Sequence, residues 1–392
     1  MKRKGSAVES SFDFINPVSR IGTGSLKWER YGGRDVLPLW VADMDFRSAP
    51  EILEALRRRV EHGVFGYTVP YAEVEEVVCD YLKQRHGLAA DHRSLHWVPG
   101  LVPALNVVCR AFGAPGDAVM TCTPVYPPFL SAPRNNGREL ITVPLRRDHA
   151  CWRFDFESME AAVTPKTRVF ILCNPHNPVG RVFEKEELDE LVAFCDRHDL
   201  VLCSDEIHCD LILEPERRHV PALALSDEAA RRTVALYAPS KTYNLPGLAC
   251  AYAVIPEPRL RAAFKRAAQG FITEVNCFGY AGCAAAYRDG EPWRRELLRV
   301  LRGNRDLVYS FVAERIPSVR IHPMEATYLA WLDFGELGFE SPAAYLERHG
   351  LGLSEGASFG ESGAGWARLN FGCPRSVLES GLERLEKAVA AL

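Results

Sequence analysis

Ala238-Pro-Ser-Lys-Thr-Tyr-Asn-Leu-Pro-Gly247 follows a strand-like apolar run, Val234-Ala-Leu-Tyr-Ala238, and leads into a second one, Ala251-Tyr-Ala-Val-Ile255. Lys241 therefore stands at the end of a buried strand, where an unpaired lysine is out of place. A desolvated amine has a lowered pKa and serves well as a Schiff-base nucleophile. Read alone, Ser-Lys-Thr fits an ordinary surface lysine beside a turn better. What surrounds it along the chain decides between the two.

Further short apolar runs, Leu95–Val98, Ala118–Cys122, Arg168–Cys173 and Leu200–Cys203, alternate with helix-like stretches such as Glu184–His198, where Leu188, Leu191, Val192 and Cys195 recur at helical spacing. This alternation predicts an α/β chain, with a mostly parallel central sheet and helices on both faces. The first 45 or so residues and the last hundred differ in pattern. From Pro292 a long helical period leads to a strand, Tyr328-Leu-Ala-Trp-Leu-Asp333, and a final amphipathic helix follows Pro374. The expected organisation is a small α/β domain built from both chain ends (1–48 and 291–392) around a large domain, 49–290.

Polar clusters follow the strands directly: Pro99-Gly-Leu-Val-Pro-Ala-Leu-Asn106, Thr123-Pro-Val-Tyr126, Asn174-Pro-His-Asn-Pro-Val-Gly180, Ser204-Asp-Glu-Ile-His208 and the Lys241 segment. Ligands of open α/β sheets bind outside the carboxyl ends of the strands, so these five clusters should meet in one crevice. Each has a plainer alternative. Gly100 either makes a tight turn into a helix or, with Leu101, exposes amides that cradle a phosphate. Tyr126 is a packed loop aromatic or a platform for a planar ring. The Asn-Pro pairs form turns readily. Asp205 and Glu206 cap a following helix or hold a protonated ring nitrogen, and His208 is structural or part of the site.

In this order, Asn-Pro-His-Asn-Pro-Val-Gly, Ser-Asp-Glu-Ile-His and Ala-Pro-Ser-Lys-Thr-Tyr-Asn-Leu resemble the class I/II pyridoxal-phosphate enzymes of the aminotransferase fold. The likeness is closest to the C–S lyase branch, of the cystathionine β-lyase and cysteine desulfhydrase type. It extends over nearly the whole chain, through Gly22-Thr-Gly-Ser-Leu-Lys-Trp28, Leu39-Trp-Val-Ala-Asp-Met-Asp-Phe46, His62-Gly-Val-Phe-Gly-Tyr-Thr68 and Ala367-Arg-Leu-Asn-Phe-Gly-Cys-Pro374. The resemblance implies the fold type I architecture of PLP-dependent transferases and pyridoxal 5'-phosphate as cofactor. It implies Lys241 as the Schiff-base residue and Asp205 as the partner of the pyridine nitrogen. Asn177 would contact the ring hydroxyl, Tyr126 the ring face, and Arg368 the substrate carboxylate. Tyr67 would reach the cofactor phosphate of a neighbouring subunit, which implies a homodimer with shared active sites.

Two departures from the broader aminotransferase pattern favour the lyase branch. Eight residues after Lys241, where many aminotransferases carry a phosphate-binding arginine, stands Ala249, and three residues before it stands Ala238 in place of serine. The phosphate then depends more on the amides near Gly100 and Leu101, on Ser240 and on Tyr67. His208 occupies a position where aminotransferases usually have tyrosine. The expected reaction is β-elimination from L-cystathionine or an S-substituted L-cysteine, with the sulfur substituent in a pocket near Trp40 and Tyr126. The alternatives are transamination, a specialised biosynthetic reaction on a bulky S-conjugated cysteine by elimination or decarboxylation, and a cofactor-binding regulator without chemistry.

Composition is that of an ordinary soluble globular protein. A net charge of −4 without a basic block argues against nucleic-acid or membrane partners. Met1-Lys-Arg-Lys4 precedes a polar run in place of an apolar one, unlike a secretory signal. Twelve scattered cysteines without a Cys-x-x-Cys pair fit neither zinc nor redox templates and read as reduced core thiols of a cytoplasmic protein.

Overall fold

The structure, a computed structural model, describes residues 12–148 and 151–392. The start of the chain, read above as unlike a secretory signal, lies outside the described residues. Seven strands form the main sheet: β1 (Leu95–Val98), β2 (Ala118–Thr123), β3 (Glu139–Pro144), β4 (Thr167–Cys173), β5 (Val201–Asp205), β6 (Thr233–Tyr237) and β7 (Ala251–Val254). Their spatial order is β1-β7-β6-β5-β4-β2-β3. Strands β2 to β6 are mutually parallel, whereas β7 runs antiparallel to both of its neighbours, β1 and β6.

The two-residue period of a strand explains why these runs are apolar almost throughout. Val169 and Ile171 of β4 join Val234, Leu236 and Ala253 on one face, packed on Leu105 and Val108 of the helix Leu101–Ala111. Phe170 and Leu172 face the other way, with Leu202, onto Leu188 and Leu191 of the helix Lys185–Arg197. Both faces are thus sealed by helices. Strand β3 was not anticipated from the sequence. It is an edge strand with one fully buried side chain, Val143, so its apolar signal is thin, and Pro144 at its end is tolerated because an edge leaves one ladder side open.

A second, antiparallel sheet comprises β8 (Arg320–Ile321), β9 (Leu329–Asp333), β10 (Ser354–Glu355) and β11 (Trp366–Asn370), in the order β8-β9-β11-β10. The 25-residue helix Glu291–Arg315 precedes it and buries Leu297, Leu301, Val308 and Val312. The helix Arg375–Ala390 closes the chain. Near the N-terminus, Leu37–Pro38 pairs in parallel with Leu351–Gly352, and Asn370 N–H donates to the Leu39 carbonyl. Among the described residues, no helix is long and apolar enough to cross a membrane. All twelve cysteines are unpaired, and ten of them are buried.

Candidate active site

The parallel strands point their carboxyl ends to one edge of the sheet, and antiparallel β7 brings its entry loop to that same edge. Loops from six strands consequently line one cavity of about 260 Å³. Gly100 and Leu101 come from β1, Tyr126 from β2, Asn177 from β4, Asp205 and His208 from β5, Ser240 and Lys241 from β6, and Ala249 from the approach to β7. A second cavity of about 550 Å³ adjoins it, lined by Trp40, Arg30, Ser354, Phe359 and Arg368. Ala42, Tyr126 and Lys241 belong to both, so the lysine stands at their junction. Tyr67 is not part of either cavity; its side chain is fully exposed.

Gly100 has φ +129°, a conformation for which glycine is suited, and from it the helix Leu101–Ala111 starts. The N–H groups of that first turn have no intrahelical acceptor and line the cavity, which makes them natural donors to an anion.

Lys241 Nζ donates to the Ala42 carbonyl at 2.6 Å, an oxygen that also accepts from Tyr328 Oη at 3.0 Å. Burial, and then the nearby Arg368 cation, push the amine down to about 8, with Asp43 and Asp205 opposing. The loop after it is fastened by Asn244, whose Nδ2 donates to the carbonyls of Met44 and Phe46 while its Oδ1 accepts from Met44 N–H. Asn244 has φ +57°, which asparagine tolerates better than most residues. Lys27, fully buried, anchors the facing segment through Asp45 at 2.6 Å. Neither contact was evident from the sequence, although both Asn244 and the 39–46 segment lay within the quoted motifs.

Asp205 ends β5 and accepts from Ile207 N–H at 3.1 Å. Burial raises its carboxyl to about 7, with the Ile207 N–H and Lys241 opposing. No helix follows for it or Glu206 to cap. Glu206 is fully buried on the other side of the backbone, where it accepts from Ser204 Oγ (2.8 Å), His219 Nε2 (2.6 Å), Tyr237 Oη (2.6 Å) and Ala222 N–H (2.9 Å). These contacts fix the peptide that carries Asp205. His208 is buried and pushed down to about 3 by burial, Lys241 and Arg368, so it is neutral at physiological pH.

Arg368 lies on β11 opposite Trp331 and Ser354. Its Nη1 donates to Asn177 Oδ1 at 2.9 Å, and its Nη2 to the Trp40 carbonyl at 3.0 Å and Ser354 Oγ at 3.3 Å. The guanidinium also stands 4.8 Å from the Phe359 ring centroid. Burial lowers it to about 10, which leaves it cationic. Ser354 and Phe359 escaped sequence reading because an isolated Ser or Phe outside a motif carries no signal.

These residues fit pyridoxal phosphate. A buried carboxylate suits a pyridine nitrogen, open amides suit a phosphate, and a lysine of lowered pKa suits a carbonyl. His208 Nδ1 and Arg368 Nε, both buried, have no hydrogen-bond partner among the described residues, so the two cavities retain unused polar capacity.

A family model described as aminotransferase class I and II matches residues 34–385. Cystathionine beta-lyase PatB of Bacillus subtilis (strain 168) is 38% identical over 387 residues, spanning 96% of this chain and all of PatB. The crystal structure of OvoB superposes with TM-score 0.94 at 42% identity, covering 97% of this chain and 100% of that one. Cystalysin from Treponema denticola, whose crystal structure contains pyridoxal 5'-phosphate, has TM-score 0.93 at 33% identity over 97% of this chain and 99% of its own. The chain belongs to the class I and II aminotransferase family of pyridoxal-phosphate-dependent enzymes, in the branch that holds the C–S lyases.

Proposed function

We propose that this enzyme cleaves the C–S bond of L-cystathionine or an S-substituted L-cysteine by β-elimination, giving a thiol, pyruvate and ammonia with uptake of one water. The observation that carries this reading is the position of Lys241 at the junction of a cofactor-sized cavity and a larger one lined by Arg368. Likeness to PatB and to the other C–S lyases supports it.

When bound, pyridoxal phosphate supplies the electron sink that makes a Cα–H bond acidic and a Cβ–S bond breakable. Lys241 would hold the cofactor through Nζ, and the same amine is placed to take the Cα proton of the substrate. Asp205 would pair with the pyridine nitrogen and keep it protonated. Asn177 and His208 would contact the ring hydroxyl, and Tyr126 would offer a platform to the ring. Gly100, Leu101 and Ser240 would hold the phosphate, with Ala249 in place of an arginine. Arg368 receives the α-carboxylate with its planar fork, and Trp40 borders the space for the sulfur substituent.

A homodimer completes the site, with Tyr67 reaching the partner's phosphate. Val60, Val64, Phe65 and Val69, exposed around Tyr67, support such an interface. The unpaired cysteines support a reducing, cytoplasmic setting.

Incubation of the purified enzyme with L-cystathionine or an S-alkyl cysteine tests the reading. Pyruvate and free thiol should form in equal amounts without an amino acceptor, and Lys241→Ala should abolish both. A keto acid that forms only when an acceptor is added would point to transamination.

A further inference from the structure

Outside the active site, the last turn of the helix Ala72–His86, the loop 209–219 and the first half of Glu291–Arg315 enclose a cavity of about 840 Å³. Seven lysines and arginines line it against two glutamates, in a chain whose net charge is −4. A concave surface of one sign concentrates counter-ions of the other. Both glutamates are already engaged, Glu291 with Arg294 at 2.7 Å and Glu214 with Arg305 at 2.5 Å.

Lys83, Arg218 and Arg302 line the cavity and form no ion pair with another described residue. Arg302 is nevertheless held in place, because its Nε donates to the Leu213 carbonyl at 2.7 Å. Burial and the neighbouring Arg305 and Arg294 lower its pKa, with Glu214 and Asp306 opposing, as expected where like charges crowd. A fixed guanidinium with unpaired terminal nitrogens is suited to a phosphate or carboxylate. The space exceeds what a single phosphate ion needs, and Ile212, Pro215 and Leu298 give it an apolar portion.

The same wall holds His86, Cys209 and Asp210, whose donor atoms lie within 4.8 Å of one another. A divalent cation there would face Arg85 at 3.5 Å from Asp210, and Arg294, whose Nη1 donates to the Asp210 carbonyl at 2.9 Å. The surrounding charge favours an anion. We propose that this cavity is a second binding site, separate from the catalytic one, for a small molecule carrying at least two phosphate or carboxylate groups.

Isothermal titration of the cofactor-loaded enzyme, with its phosphate cradle filled and trace metal removed beforehand on a chelating resin, tests this in low salt. Inorganic pyrophosphate and citrate are the two probes, and their relative affinity distinguishes phosphate from carboxylate ligands. At least one should bind. Arg218→Ser with Arg302→Gln should weaken binding tenfold or more, and the exposed single change Lys83→Ser should weaken it several-fold. Lys265→Ser with Arg266→Ser, an equal charge loss outside the cavity, should leave it unchanged. All variants should keep the wild-type cofactor spectrum, which reports an intact fold. Absence of binding of both anions at about 1 mM, or equal weakening in the control pair, would overturn the proposal. So would uptake of added Zn²⁺ in preference to either anion.

Discussion

Arg368 Nη1 donates to Asn177 Oδ1 at 2.9 Å, joining the antiparallel sheet to the loop after β4 of the main sheet. The two residues lie 191 positions apart, yet they form one contact at the border of the two adjoining cavities. On the roles proposed above, this contact would couple substrate binding to cofactor orientation.

Arg368→Lys keeps the charge and removes the fork. A single ammonium nitrogen on a shorter stem cannot span Asn177, the Trp40 carbonyl and both oxygens of a carboxylate, so kcat/KM should fall about 10- to 100-fold, mostly through KM. The absorption spectrum of the loaded enzyme should persist. Steady-state kinetics with a fixed S-alkyl cysteine decides the matter. An unchanged KM would remove Arg368 from its assigned role.

The amine of Lys241 must be neutral to attack a carbonyl carbon. Because burial and then Arg368 bring it down to about 8, the rate of pyridoxal phosphate uptake by the apoenzyme should rise with pH up to about 8 and level off above it. An ordinary lysine would keep gaining up to about 10.4. Stopped-flow recording of the visible band between pH 6 and 10 separates the two, and a rise that continues through pH 10 would contradict the lowered pKa.

The parallel core was legible because strands buried on both faces are apolar almost throughout, and Ile171 or Leu236 admits few other readings. Edge strand β3 was not, since a half-exposed run resembles a loop. The site was legible where several chemical groups share a short motif, as in Ser204–His208 or Ser240–Tyr243. Contacts made by backbone oxygens, such as Ala42 with Lys241 or Trp40 with Arg368, leave no trace in residue type. Glu206 shows a different limit. Its proximity to Asp205 suggested a shared helix cap, but successive strand-end residues point to opposite sides, and Glu206 has its own set of buried donors.

Asp205 offers a test in which stability and activity move in opposite directions. Burial raises its carboxyl to about 7 from an ordinary 3.8. Between those values the folded apoenzyme retains a proton that the unfolded chain has released. Stability therefore falls as pH rises through this window and stays lower above it. Asp205→Asn removes the penalty, so the variant apoenzyme should melt a few degrees above wild type at pH 8 and close to it near pH 4. Pyridoxal phosphate should reverse the order, because a pyridinium nitrogen supplies the counter-charge that only the ionised aspartate can use. Turnover of the variant should drop by about 10³ or more, since four or more kcal/mol of electrostatic stabilisation is at stake. Differential scanning calorimetry of both proteins, with and without cofactor, reads all of these signs, and a variant apoenzyme that melts no higher than wild type at pH 8 would refute the raised carboxyl.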